Sequence, residues 1–118
     1  MSEESPRPSS PDPSLAEEVG ELARHLREAH HLDAATRSEL ASLLKELART
    51  LEDPSPQTEQ LAESTVELVR AVKDRHEPGL VEAARERVDG AIARAEAKAP
   101  VATEIVLQLI DLLAGLGI

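Results

Sequence analysis

Not one of the 118 residues is aromatic, and not one is cysteine. Without Phe, Tyr or Trp the interior has to be built from Leu, Val, Ile and Ala, which fill helix interfaces well but specify a unique arrangement less sharply than rings. The same lack removes the ring faces on which single-stranded nucleic-acid binders stack bases. Without cysteine there is no disulfide, no thiolate ligand and no thiol nucleophile. The 5 glycines form no loop of the kind that follows a strand and cradles phosphate. Sustained period-two alternation is missing, and Asp89-Gly90 falls inside a helical period, so no strand is predicted. Cations are scarce: 13 Lys and Arg stand against 23 Asp and Glu, leaving a net charge of −10 and a pI near 4.8. That balance repels DNA phosphate and anionic membrane surfaces alike.

What is present is aliphatic and periodic. The last stretch, 101–118, carries Val101, Ile105, Val106, Leu107, Leu109, Ile110, Leu112, Leu113, Leu116 and Ile118. Glu104, Gln108 and Asp111 interrupt it as one narrow stripe, because residues three and four apart share a helix face. A helix that is apolar nearly all round requires cover on most sides. A membrane span needs about 20 apolar residues. Here at most 18 follow Pro100, two of them acidic, and no Lys or Arg follows to hold the end. No basic region followed by an apolar one opens the chain, so no signal peptide is read and the protein is expected to be cytoplasmic.

Taken in order, residues 1–13 are rich in proline, serine and acid and are expected to be a disordered tail. Pro8 and Pro11, with Arg7 beside them, have the spacing of a polyproline ligand, but a solvated tail is the better reading of so short a pattern. Residues 14–118 form one helical domain, small enough for a single core. Ser14 with Glu17 makes a capping box, in which each side chain satisfies the other residue's orphaned backbone N–H. Leu15, Val19, Leu22, Leu26 and Ala29 follow at steps of four and three, and the helix is expected to end near His30 and His31. Asp33 caps the second helix, with Leu40, Leu43, Leu44, Leu47 and Leu51 on its buried stripe. So short a link forces an antiparallel hairpin. Ser55-Pro56 starts the third helix as cap and first-turn proline, with Leu61, Thr65, Leu68, Val69 and Val72 inside. His76-Glu77-Pro78-Gly79 is a break. The fourth helix carries Val81, Ala84, Val88, Ala91, Ile92 and Ala95, and Gly90 in its middle costs about 1 kcal/mol relative to Ala. Lys98-Ala99-Pro100 turns the chain into the last helix, which Gly115 or Gly117 is expected to end in a left-handed cap.

Chemistry has few footholds in this sequence. Glu28 and His31 form one Glu-x-x-His pair, the spacing used twice over in di-iron helical bundles. A second pair is missing, so solvated helix-end residues are the better reading and no metal or cofactor is expected. His25, His30 and His76 complete the histidines and gain nothing from their neighbours. Acidic residues lack the alternating loop spacing of a calcium site. Ser and Thr lack the Gly-x-Ser-x-Gly elbow of a nucleophile. Glu21 with Arg24, and Glu67 with Arg70, read as surface ion pairs at helical spacing. Arg85, Arg87, Arg94 and Lys98 cluster on the fourth helix, but Glu82, Glu86, Asp89 and Glu96 interleave with them, which is no nucleic-acid stripe.

At His31-Leu32-Asp33, which starts a Leu/Glu-rich helix, and at the ending Gly117-Ile118, the chain resembles a family of small bacterial helical proteins classed only as a domain of unknown function. In that family His-Pro introduces the last helix; here the proline is Pro100 and Ala99 stands in the histidine's place. The segment 56–75 is extra length relative to it. The resemblance implies a helical fold and lends no activity.

The expected fold is all-α: an antiparallel bundle of four or five helices with the apolar C-terminal helix central. The expected function is non-catalytic helix–helix association, with itself (a homodimer) or with a protein partner, and with no nucleic acid. The residues expected to carry it are Ile105, Leu109, Leu112, Leu113 and Leu116. Two alternatives are a peripheral membrane or membrane-protein partner that uses the last helix and, less favoured, a small metal-binding helical enzyme at Glu28 and His31.

Overall fold

Where the sequence places a cap, a helix begins. The computed structural model describes residues 14–52, 54–74 and 78–116. The tail at 1–13, the His76-Glu77 part of the expected break and the Gly117-Ile118 ending lie outside them. Five α-helices follow in order: α1 Leu15–His25, α2 Ala34–Arg49, α3 Pro56–Lys73, α4 Pro78–Ala95 and α5 Pro100–Ala114. No strand occurs among the described residues. The chain is an all-α bundle.

Three caps form as their residue types dictate. The Ser14 hydroxyl accepts from the Glu17 N–H at 3.1 Å while Glu17 accepts from the Ser14 N–H at 3.2 Å, closing the capping box. Asp33 accepts from the Thr36 N–H at 2.7 Å and Ser55 from the Thr58 N–H at 3.1 Å. Helix ends are less faithful to the sequence reading. Regular α1 geometry stops at His25 and tightens into a 3-10 turn over Leu26–Glu28, so His30 and His31 lie beyond it. α4 begins at Pro78, which puts Gly79 inside its first turn rather than in a break. Gly115 closes α5 at φ −64°, ψ −19°, a right-handed helical conformation, so it does not make the left-handed cap, and the other candidate, Gly117, lies outside the described residues.

The helices pair as two hairpins. α3 against α4 is the most extensive contact, α1 against α2 the next, and α5 lies chiefly on α2 while reaching α3 and α4. The α2 stripe Leu40, Leu43, Leu44, Leu47 and Leu51 is buried throughout, as are Leu61, Thr65, Leu68, Val69 and Val72 of α3. Ala62, Val66 and Ala71 are buried as well, so α3 is covered on more sides than its expected stripe and shares the centre of the bundle with α5.

On α5 the sequence argument for outside cover does not hold. Ala102, Ile105, Val106, Leu109, Ile110 and Leu113 are buried by this chain's own helices. The exposed arc contains Glu104, Gln108 and Asp111, as their spacing requires, with Val101 at one edge and Leu107 at the other. Those two are 64% and 47% exposed, too little apolar surface to compel a partner. Among the described residues no helix is long and apolar enough to cross a membrane.

Candidate functional site

The residues expected to mediate association are mostly spent. Ile105, Leu109 and Leu113 are core, Leu112 is half-buried against that core, and only Leu116 is exposed, at 40%. Glu28 and His31 do not converge on anything. Glu28 is exposed, and the Nε2 of half-buried His31 lies 2.8 Å from the Val72 carbonyl oxygen, which makes it the donor of a hydrogen bond to α3. That ring nitrogen is therefore occupied in tying the first hairpin to the second. No group of three or more His, Cys, Asp or Glu side chains suited to a metal occurs among the described residues.

Concavity and charge coincide elsewhere, between α1 and α2. A cleft of about 560 Å³ opens there. Its lining includes the small side chains Ala34, Ser38, Ala41 and Ser42 of α2, with Ala23 of α1 and the buried Leu26 opposite. Its walls carry four cations: Arg24 and Arg27 from α1 and the turn after it, Arg37 and Lys45 from α2. Among the described residues no carboxylate lines it. In a chain of net charge −10 this is a local inversion of sign.

Helical spacing explains the arrangement. Arg37, Ala41 and Lys45 fall at steps of four on one α2 face, with Ser38 and Ser42 beside them. Arg24 and Arg27 are three apart across the end of α1, where cations also suit the negative end of the helix dipole. The hairpin brings the two rows to opposite sides of a gap that alanine and serine are too small to fill.

Arg37 is held most firmly. One of its terminal nitrogens, Nη1, donates to the Arg27 carbonyl oxygen at 2.8 Å. Its Nε is enclosed and has no hydrogen-bond acceptor. The nearby Asp33 carboxyl sits below the ordinary carboxylate range, chiefly because of the hydrogen bonds it accepts from Thr36, with the Arg37 guanidinium adding a smaller pull. Arg24 has Glu21 at 3.9 Å, both side chains more than half exposed, a contact worth little in water.

Sequence reading missed this site because its basic residues are split between two helices and diluted by acidic neighbours along the chain. The one linear signal is a run of small side chains beside Arg37 and Lys45 on the face of α2 opposite its leucines. Comparison of the chain with protein-family models, with curated proteins and with solved structures finds no match.

Proposed function

We propose that this protein is a non-catalytic helical interaction protein, which receives a helix of a protein partner in the cleft between α1 and α2. The observation that carries this reading is the cleft itself: a gap between two well-packed helices, lined by Ala and Ser beside Leu26, which no side chain of the described residues fills. Small residues let a third helix approach closely, as they do at helix–helix contacts generally. A partner seated there would complete a three-helix layer on the outer side of the first hairpin. The exposed face of α5 is a weaker docking surface, since its middle is Glu104, Gln108 and Asp111.

A photo-crosslinking residue at Ser42, compared with one at Glu104, tests this. Cross-links to a protein, whether a second copy of the chain or another polypeptide, are expected from position 42 and not from 104. The reverse pattern would move the docking surface to α5, and none from either position would overturn the reading.

A further inference from the structure

We propose that the helix held in the α1/α2 cleft is acidic, with carboxylates read by Arg24, Arg27, Arg37 and Lys45. This rests on the interaction reading above and adds the chemistry of the partner.

Charge complementarity is the first argument. The cleft gathers four cations and no carboxylate among its lining residues. Elsewhere among the described residues cations meet carboxylates across helices: Arg87 lies 3.1 Å from Glu67 and Arg70 3.4 Å from Glu18. Among the described residues the one ion pair that a lining cation makes is the long, exposed Arg24–Glu21 contact. Cations so concentrated repel one another unless an anion is brought between them.

Spacing is the second. Arg37 and Lys45 are eight residues apart on one face, roughly 12 Å along the axis at 1.5 Å per residue. A ligand helix alongside α2 with acids two turns apart matches that span. Arg24 and Arg27 on the opposite wall are placed for acids on the ligand's other flank. Ser38 and Ser42 between the rows supply hydroxyls for its polar groups.

The third argument is Arg37. With Nη1 already committed to the Arg27 carbonyl, its remaining edge, Nε with Nη2, has the fork geometry that takes a carboxylate through two parallel hydrogen bonds. Nε is shut from water and lacks an acceptor, a cost that a carboxylate relieves once a small outward turn of the guanidinium admits it. The overall charge of −10 opposes long-range attraction of any polyanion. Recognition is accordingly short-ranged, which favours a helix carrying a few well-placed acids over an extended nucleic acid.

Three labelled amphipathic peptides of about 18 residues, roughly five turns, decide the matter by fluorescence anisotropy against the full chain. They share an Ala/Leu face and carry Glu, Gln or Lys on the other; inorganic phosphate is the competitor. The Glu peptide is expected to bind at least tenfold tighter than the Gln peptide, to weaken as salt rises, and to resist millimolar phosphate. Lys45→Glu, at an exposed position, and Arg37→Gln are each expected to cost the Glu peptide at least tenfold while the helical circular dichroism spectrum is unchanged. Equal binding of the Glu and Gln peptides would overturn the acidic partner and leave the docking reading standing. Failure of all three peptides to bind would overturn both. Displacement of the Glu peptide by millimolar phosphate would reduce the site to one for free oxyanions and overturn the helix as its occupant.

Discussion

Between α3 and α4 the helices meet closely. α4 turns Ala84, Val88, Ala91 and Ala95 inward, and the shallow hollow left at the surface, about 250 Å³, has Arg87 paired with Glu67 at its edge. Between α1 and α2 the core is as well buried, with Val19, Leu22, Leu40, Leu44 and Leu47 at most 3% exposed, yet the outer side stays open over a volume of about 560 Å³, and among the described residues no carboxylate meets its cations across the two helices. Both hairpins are made of the same residue types. The difference lies in whether opposite charges meet across the pair: among the described residues they do across α3 and α4 and do not across α1 and α2.

Breaking either core should cost the same. Leu44 in α2 and Leu68 in α3 are both fully buried, so Leu44→Ala and Leu68→Ala should each lose about 2–5 kcal/mol in urea unfolding. A cheap Leu44→Ala would mean that the first hairpin is loose throughout, and the open cleft would then carry no special meaning.

The next largest contrast is between two alanines. Ala91→Leu should destabilise by about 1–3 kcal/mol, because the closed side of the bundle has no room for it. Ala41→Leu, projecting into the cleft, should stay within about 0.5 kcal/mol of the parent while blocking the cleft. Equal costs for the two would show that the gap between α1 and α2 is already closed in solution.

His31→Ala removes a hydrogen bond between the hairpins and leaves the Val72 carbonyl without this donor; a loss of about 1 kcal/mol in the same unfolding assay is expected. Smaller still is Arg87→Ala. With the pair's side chains 61% and 56% exposed, a few tenths of a kcal/mol is the expected cost, vanishing by about 1 M salt. The last comparison concerns the cap of α2. The Asp33 carboxyl is held below its ordinary value in the folded chain, so its contribution is present above the unfolded value, about 3.9, and is lost as pH falls through the lower folded value. The stability gap between the parent and Asp33→Ala should therefore be constant from pH 5 to 7 by urea midpoint and close in stronger acid. A gap that persists unchanged at pH 2 would show that the carboxylate's charge is not what caps α2.

How far the sequence could be read followed the range of each interaction. Ser14, Asp33 and Ser55 were legible as caps because an N-cap bonds a residue three positions on. The leucines of α2 were legible as a stripe because burial follows helical period. Pairs were misread where local spacing competed with distant partners. Glu67 and Arg70 suit each other at three residues apart, but Glu67 meets Arg87 and Arg70 meets Glu18. His31 looked solvated at a helix end, whereas its partner is 41 residues away. Of the association residues proposed on α5, Ile105, Leu109 and Leu113 proved to be core, because apolar girth does not say whose surface will cover it.

The sequence by itself determined that the chain is helical, where its helices begin, and which face of α2 turns inward, since each of these depends on residues within a turn or two. Only the tertiary structure decided that one chain suffices to bury most of the apolar face of α5, that Arg24 and Arg27 stand across a gap from Arg37 and Lys45, and that no carboxylate among the described residues lines that gap. Those facts depend on how two helices are set against each other, a geometry fixed by the summed fit of many side chains and written in no single stretch of the chain.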